Sequence, residues 1–233
     1  MKVLALETSA KACSAAVTED GRVLASAFQC TGLTHSRTLM PMVEAMLKNA
    51  ELSPDACDAI AVANGPGSFT GIRIGVAAAK GLAFSLEKPV VGVSTLEAMA
   101  YNAIQWNGLI VCAMDARRHQ VYHALFRSDG HTLTRLTPDR PIALEELAQE
   151  LRAMDGAKII VGDGGKLCYD FMLEANLPCT LAPAHLLQQN AVSVALTAER
   201  MLRAGAGGSA QDLLPVYLRP AQAERLRDRQ QKT

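Results

Sequence analysis

Residues 64–75 read NGPGSFTGIRIG, a stretch with four glycines and a proline that leads from an apolar run into a helical pattern. A phosphate loop of the Gly-x-x-x-x-Gly-Lys-[Ser/Thr] type would place lysine after Gly71, followed by a magnesium-holding hydroxyl. Ile72 and Arg73 stand there instead. The dinucleotide spacing Gly-x-Gly-x-x-Gly fails as well, because Gly65, Gly67 and Gly71 are one residue too far apart and Pro66 removes an N–H donor. The stretch then reads as a sharp turn with Ser68 as N-cap of a helix running to Leu86. Between Ile72 and Leu86 only Arg73 and Lys80 are charged, so this helix is buried on more than one side. Gly71, Gly75 and Ala79 are four apart and share a face on which another backbone can approach closely. Packing is the preferred reading of that face, and anion binding at the helix N-terminus is the second.

Outward from this helix, the pattern is α/β. KVLALET, CSAAVTE and RVLASAFQ open the chain as three strands, the last two joined by the hairpin signal EDG. A helix follows in THSRTLMPMVEAMLKNA, expected to begin near Thr38 so that Pro41 falls in its first turn. Strand DAIAVAN, the glycine-led helix, strand KPVVGVS and helix STLEAMAYNAI complete a βββαβαβα order. NGLIVCAMDA, HQVYHALFR and HTLTRLT begin a second unit, continued by helix ALEELAQELRAM, strand AKIIVGD, helix GKLCYDFMLEA, strand LPCTLAP and helix NAVSVALTAERMLRA. Two such units imply a duplicated α/β architecture with a cleft between the copies, divided at 1–106 and 107–233. GAGGSAQ, 205–211, reads as a flexible break before the C-terminal tail.

The 23 basic and 23 acidic residues balance, so no global field collects nucleic acid or a membrane, and any RNA contact is local. The N-terminus lacks the long apolar core of a signal peptide, and no apolar run reaches the ~20 residues of a membrane span. Six cysteines without a Cys-x-x-Cys pair read as buried reduced thiols of a cytosolic protein.

Few residues carry candidate chemistry. In ALETSAKACSAAV, the hairpin with Glu7, Thr8 and Ser9 has the form that holds a metal-linked acid and phosphate-binding amides in actin-like ATPases and sugar kinases. The alternative, favoured by the lack of a second phosphate loop, is that Glu7 ends a strand while Thr8 and Ser9 shape the turn. Asp163 in VGDGG is either a cap or a nucleotide contact, with the structural role preferred. His119 and His123 have the spacing of a helical metal pair but lie in a strand pattern, ~13 Å apart at strand rise, so metal binding is not expected. No catalytic triad or Cys/His set stands out.

Taken together, LALETSAKACSAAV, HSRTLMPMVEAML, NGPGSFTGIRIGVAAAKGLA, VVGVSTLEAMA, DARRHQVY, GDGG and PVYLRP closely resemble the TsaB (YeaZ) family along nearly the whole chain. The resemblance implies an actin-like, Hsp70-like ATPase fold and a role in making threonylcarbamoyladenosine beside the anticodon of tRNA. It implies a noncatalytic scaffold that pairs with a TsaD-like catalytic subunit and works with a TsaE-like ATPase, ATP and metal belonging to those partners. TsaD-like proteins carry two metal-holding histidines four apart on the helix after a Gly-Val strand end, where this chain has Thr95 and Met99. Gln120 departs from the family pattern, which often has glutamate there. The expected partner surface lies on the two helices near 38–50 and 68–86, with Leu39, Val43, Met46, Leu47, Gly71, Ile72, Gly75, Val76 and Ala79. The same surface would form a homodimer when the chain is alone. The rival reading is a free-standing ATPase or kinase of the same fold using Glu7 and Asp163. Arg225, Arg227 and Arg229, with Arg219 and Lys232 against Glu224 and Asp228, give the tail a local charge of +3 and an expected contact to tRNA phosphates.

Overall fold

The computed structural model describes residues 1–117 and 119–219. Its first sheet comprises β1 (Lys2–Glu7), β2 (Cys13–Glu19), β3 (Arg22–Gln29), β4 (Ala59–Gly65) and β5 (Val90–Ser94), in the order β3-β2-β1-β4-β5. The first three form an antiparallel meander, while β4 runs parallel to β1 and β5. Asp20 and Gly21, both left-handed, make the EDG turn between β2 and β3. Helices α1 (His35–Asn49), α2 (Phe69–Ser85) and α3 (Thr95–Tyr101) follow β3, β4 and β5.

The second sheet repeats the first strand for strand. It contains β6 (Asn107–Asp115), β7 (Gln120–Asp129), β8 (Leu133–Arg135), β9 (Arg140–Ala143), β10 (Lys158–Val161) and β11 (Thr180–Leu181), with order β11-β10-β6-β7-β8 and β9 also on β7. β8 pairs with Phe126–Ser128 and β9 with Gln120–His123, so the two are halves of one edge strand interrupted around Pro138. Helices α4 (Leu144–Arg152), α5 (Gly165–Glu174) and α6 (Ala191–Arg203) complete the unit. Two sheets of one topology, joined in tandem, are the actin-like, Hsp70-like ATPase fold expected from the sequence.

Both faces of each sheet are covered, which is why β1 is apolar without alternation. Leu4 and Leu6 join the core beneath α1 and α2, whereas Val3 and Ala5 pack against Val194, Ala195 and Ala198 of α6. On the second sheet, Val111 and Ala113 meet α4 and α5, and Ile110 and Cys112 meet Leu96 and Met99 of α3. The last helix of each unit thus covers the sheet of the other. Asn102 ties the exchange, its Nδ2 donating to the Leu186 and Gln188 carbonyls, both at 2.9 Å, while Ser193 Oγ donates to its Oδ1. A division at 106/107 separates the sheets, but the packing crosses it.

Two local expectations change. α1 begins at His35, not near Thr38, so Pro41 lies inside the helix. His35 extends the helix because its Nε2 is 2.8 Å from the Ala10 carbonyl, anchoring the first turn to the β1–β2 hairpin. The segment expected as a flexible break instead pairs with the edge of β5: Val90 N donates to Gly208 O at 3.0 Å and Gly208 N to Val90 O at 3.1 Å. No helix among the described residues is long and apolar enough to cross a membrane.

Candidate functional site

The end of β1 and the start of α2 are locked together. Ser68 caps α2 by accepting from Gly71 N, and Ser68 N donates to Ser9 O at 2.6 Å. Thr8 Oγ1 donates to Gly71 O at 2.8 Å. The glycines make this approach possible. A Cβ on Gly67 would stand 2.3 Å from Ser9 O, on Gly71 2.1 Å from Thr8 O, and on Gly75 2.4 Å from Thr8 Oγ1. The close backbone approach expected from the spacing is there, and the backbone is that of Thr8 and Ser9 in the same chain.

Glu7, Thr8 and Ser9 are consequently all fully buried. Ser9 N donates to Glu7 Oε1 at 2.5 Å, and Glu7 Oε2 has no partner among the described residues. Burial pushes the Glu7 carboxyl up to about 7, with Asp163 adding repulsion and the Ser9 hydrogen bonds opposing. The start of α2 covers the Thr8 and Ser9 carbonyls of this turn, and the Ser9 amide is already used by Glu7.

Asp163 sits across the lobe junction in the β10–α5 turn. Gln189 Nε2 donates to its Oδ1 at 2.8 Å and also lies 3.4 Å from Met99 Sδ. Burial raises its pKa, Asp115 adds to the rise, and the Gln189 hydrogen bond and Lys11 oppose it. Thr95 and Met99, one turn apart on α3, are both buried, Met99 against the second sheet, and Thr95 Oγ1 has no partner among the described residues. Among the described residues no group of three His, Cys, Asp or Glu is placed to hold a metal ion. His119 is in the left-handed turn before β7 while His123 is buried on β7, so only the second lies on the strand expected to hold both. His123 Nδ1 is 2.9 Å from Cys112 O, and burial lowers its pKa to about 4. Cys13, Cys57, Cys112 and Cys168 are buried free thiols as expected, but Cys30 is exposed.

The residues expected to form the partner surface require correction. Leu39, Val43, Met46, Leu47, Ile72, Val76 and Ala79 are 0–6% exposed and belong to the core of their own lobe, and Gly71 and Gly75 are buried against Thr8. Apolar spacing locates the inward stripe of an amphipathic helix, and here that stripe is consumed by the first sheet. What α1 and α2 offer outward is different: Met40, Phe69, Arg73, Ala77 and Phe84, the last 77% exposed. A groove of about 700 Å³ lies between β3 and α1, lined by residues including Leu24, Arg37, Pro41, Met42 and Ala45.

Sequence reasoning missed the chain segment that borders this face. Beyond Gly208 the backbone runs antiparallel to α2, and Lys80 Nζ donates to the carbonyls of Gln211 and Leu213 at 3.2 and 3.1 Å. Asn64 and Val216 then pair, Val216 N donating to Asn64 O at 2.7 Å, and Tyr217 stacks on Phe69 with ring centroids 4.7 Å apart. Arg219 reaches the second lobe, donating to Ala116 O at 2.9 Å and to Gln120 Oε1. The aromatic and arginine of PVYLRP were the available signal. The Gln120 position contributes through its amide oxygen, without charge. Arg225, Arg227 and Arg229 lie outside the described residues.

These features define an actin-like, two-lobed α/β protein in which the first-lobe hairpin turn is closed by its own helix. The family model described as TsaD, tRNA N6-adenosine threonylcarbamoyltransferase, matches residues 29–225. The tRNA threonylcarbamoyladenosine biosynthesis protein TsaB of Escherichia coli K12 is 34% identical over 94% of this chain and 95% of its own length. Its namesake in Bacillus subtilis 168 is 36% identical over 70% of this chain and 71% of its own. Among solved structures, YeaZ from Pseudomonas aeruginosa superposes with a TM-score of 0.78 at 32% identity, covering 93% of this chain and 99% of that one. The chain belongs to the TsaB (YeaZ) family.

Proposed function

We propose that this chain is a noncatalytic, cytoplasmic subunit in the formation of N6-threonylcarbamoyladenosine beside the anticodon of tRNA. It pairs with a TsaD-like catalytic subunit, which transfers the threonylcarbamoyl group from threonylcarbamoyl-AMP, and it works with a TsaE-like ATPase. ATP and metal are held by those partners. The observation that carries this reading is the closed turn at Glu7–Ser9, where Ser9 N is spent on Glu7 Oε1 and the Thr8 and Ser9 carbonyls pack against Gly71 and Gly67. Thr95 and Met99 on α3, unable to act as a ligand pair, support it. The tail arginines Arg225, Arg227 and Arg229 supply a salt-dependent contact to tRNA in the assembled complex.

The outward α1–α2 face and the adjoining groove favour pairing through this lobe. In the absence of the TsaD-like subunit, the same face joins two copies of the chain, because an apolar patch of this kind seldom stays solvated. The test is reconstitution from purified components with threonylcarbamoyl-AMP and unmodified tRNA. Modification is expected only when both this chain and the TsaD-like subunit are present, and this chain alone is expected to turn over no ATP. ATP hydrolysis by this chain alone, lost in Glu7→Ala, would overturn the reading in favour of a free-standing ATPase.

A further inference from the structure

We infer that Arg73 is a preorganised anchor for a carboxylate on the partner subunit, held in place by the C-terminal segment Leu213–Arg219. The inference rests on the pairing proposed above and names the contact that makes it. Arg73 projects from the solvent side of α2, on the stripe formed by Phe69, Ala77, Lys80 and Phe84. Its guanidinium lies 3.9 Å from the centroid of the Phe69 ring and 5.9 Å from that of Tyr217, and Nε donates to Tyr217 Oη at 2.9 Å. Among the described residues Arg73 makes no ion pair, and its two Nη groups have no hydrogen-bond partner.

A guanidinium fixed by two rings and one hydrogen bond has already lost most of the rotamer freedom that a surface arginine forfeits on binding. Its remaining fork matches a planar carboxylate or a phosphate in bidentate geometry. The surroundings decide between a protein and an RNA. Leu214, Val216 and Phe84, at 65, 43 and 77% exposed, border the stripe with apolar surface. The neighbouring cation Lys80 is spent on the Gln211 and Leu213 carbonyls. An RNA backbone is collected by several free cations, whereas an arginine ringed by aromatic and aliphatic side chains has the composition of a protein–protein hot spot.

Tyr217 therefore acts as a positioning residue. The folded C-terminal segment builds the binding face by aligning a helix side chain that would otherwise sweep through solvent. The experiment is a titration of the full-length chain with the TsaD-like subunit, comparing wild type with Arg73→Lys and Tyr217→Phe, each with its melting temperature. Arg73→Lys keeps the charge but loses the fork, and should weaken pairing by about tenfold or more. Tyr217→Phe keeps the stacked ring but frees Nε, and should weaken it by about threefold, with melting temperatures unchanged in both. Wild-type affinity in both variants would overturn the inference while leaving the pairing intact. Unaltered pairing accompanied by weaker, less salt-dependent tRNA binding by the complex would overturn it in favour of an RNA phosphate. No association of the wild-type chain with the TsaD-like subunit would overturn the pairing itself.

Discussion

The ends of β1 and β6 occupy equivalent places in the two lobes, and each is approached by a glycine turn. In the first lobe, Gly67, Gly71 and Gly75 press on Thr8 and Ser9, so that Glu7 is fully buried. In the second, Gly162 and Gly164 approach Ala113 to Asp115, but the contact stops at the turn and Asp115 is exposed. The same topology thus closes one hairpin under two turns of helix and leaves the other open to solvent, where Arg219 docks on it. The strand-end acid differs accordingly: one is fully buried, its pKa raised by burial to about 7, and the other is an exposed side chain that accepts from Arg117 N at 2.7 Å. Fold duplication fixes where such a site can lie, and glycine placement decides whether it stays open.

The largest effect that tests this contrast is Gly71→Ala. Its methyl meets a backbone oxygen that cannot move aside, so a loss of about 3 kcal/mol or more is expected in urea unfolding. Gly164→Ala, whose nearest atom is Asp115 N at 2.6 Å, should cost less. Equal losses would mean that the Gly71 contact is no tighter than the Gly164 contact.

Next in size is an opposed pair of pH effects, one per lobe. Glu7, raised to about 7, contributes stability that is complete below its unfolded value near 4.5 and is lost as pH rises through 7. His123, lowered to about 4, contributes stability that is complete above 6.5 and is lost as pH falls through 4. Each shift corresponds to roughly 3 kcal/mol across its window. In urea titrations at stepped pH, Glu7→Gln should remove the decline between 4.5 and 7, and His123→Asn the decline between 6.5 and 4. A Glu7→Gln profile parallel to wild type would show that burial of this carboxyl does not set its protonation.

A smaller effect of opposite sign separates packing glycines from incidental ones. Gly81 lies on the same helix with nothing within 4 Å of its missing Cβ, so Gly81→Ala should gain up to about 1 kcal/mol from helix propensity. Smallest is the exposed Lys166–Asp170 pair of α5, whose coupling in a double-mutant cycle should not exceed about 0.5 kcal/mol.

The sequence made the element order legible because strand and helix periods alternate cleanly, and the Asp20–Gly21 turn fixed the first hairpin. β9 escaped notice because Pro138 and Asp139 look like the end of a strand, while Arg140 and Pro141 are tolerated where the edge resumes. The glycine face was read correctly as a site of close backbone approach. Its occupant was not, since spacing along one helix carries no information on which backbone arrives. For the same reason Leu39, Val43 and Val76 were assigned outward when the first sheet already buries them. The Phe69–Arg73–Tyr217 stack unites residues more than 140 positions apart, 144 for the hydrogen bond itself, and no local pattern predicts it.

The central claim is that the closed turn is structural and that this chain acts through its surface. The direct measurement is tRNA modification by the reconstituted components with Glu7→Gln in place of the wild-type chain, alongside the size of the complex. Glutamine keeps the shape and the acceptor for Ser9 N while removing the ionisable group. Modification at the wild-type rate with an intact complex is the predicted result, and abolished modification in an intact complex would contradict the account.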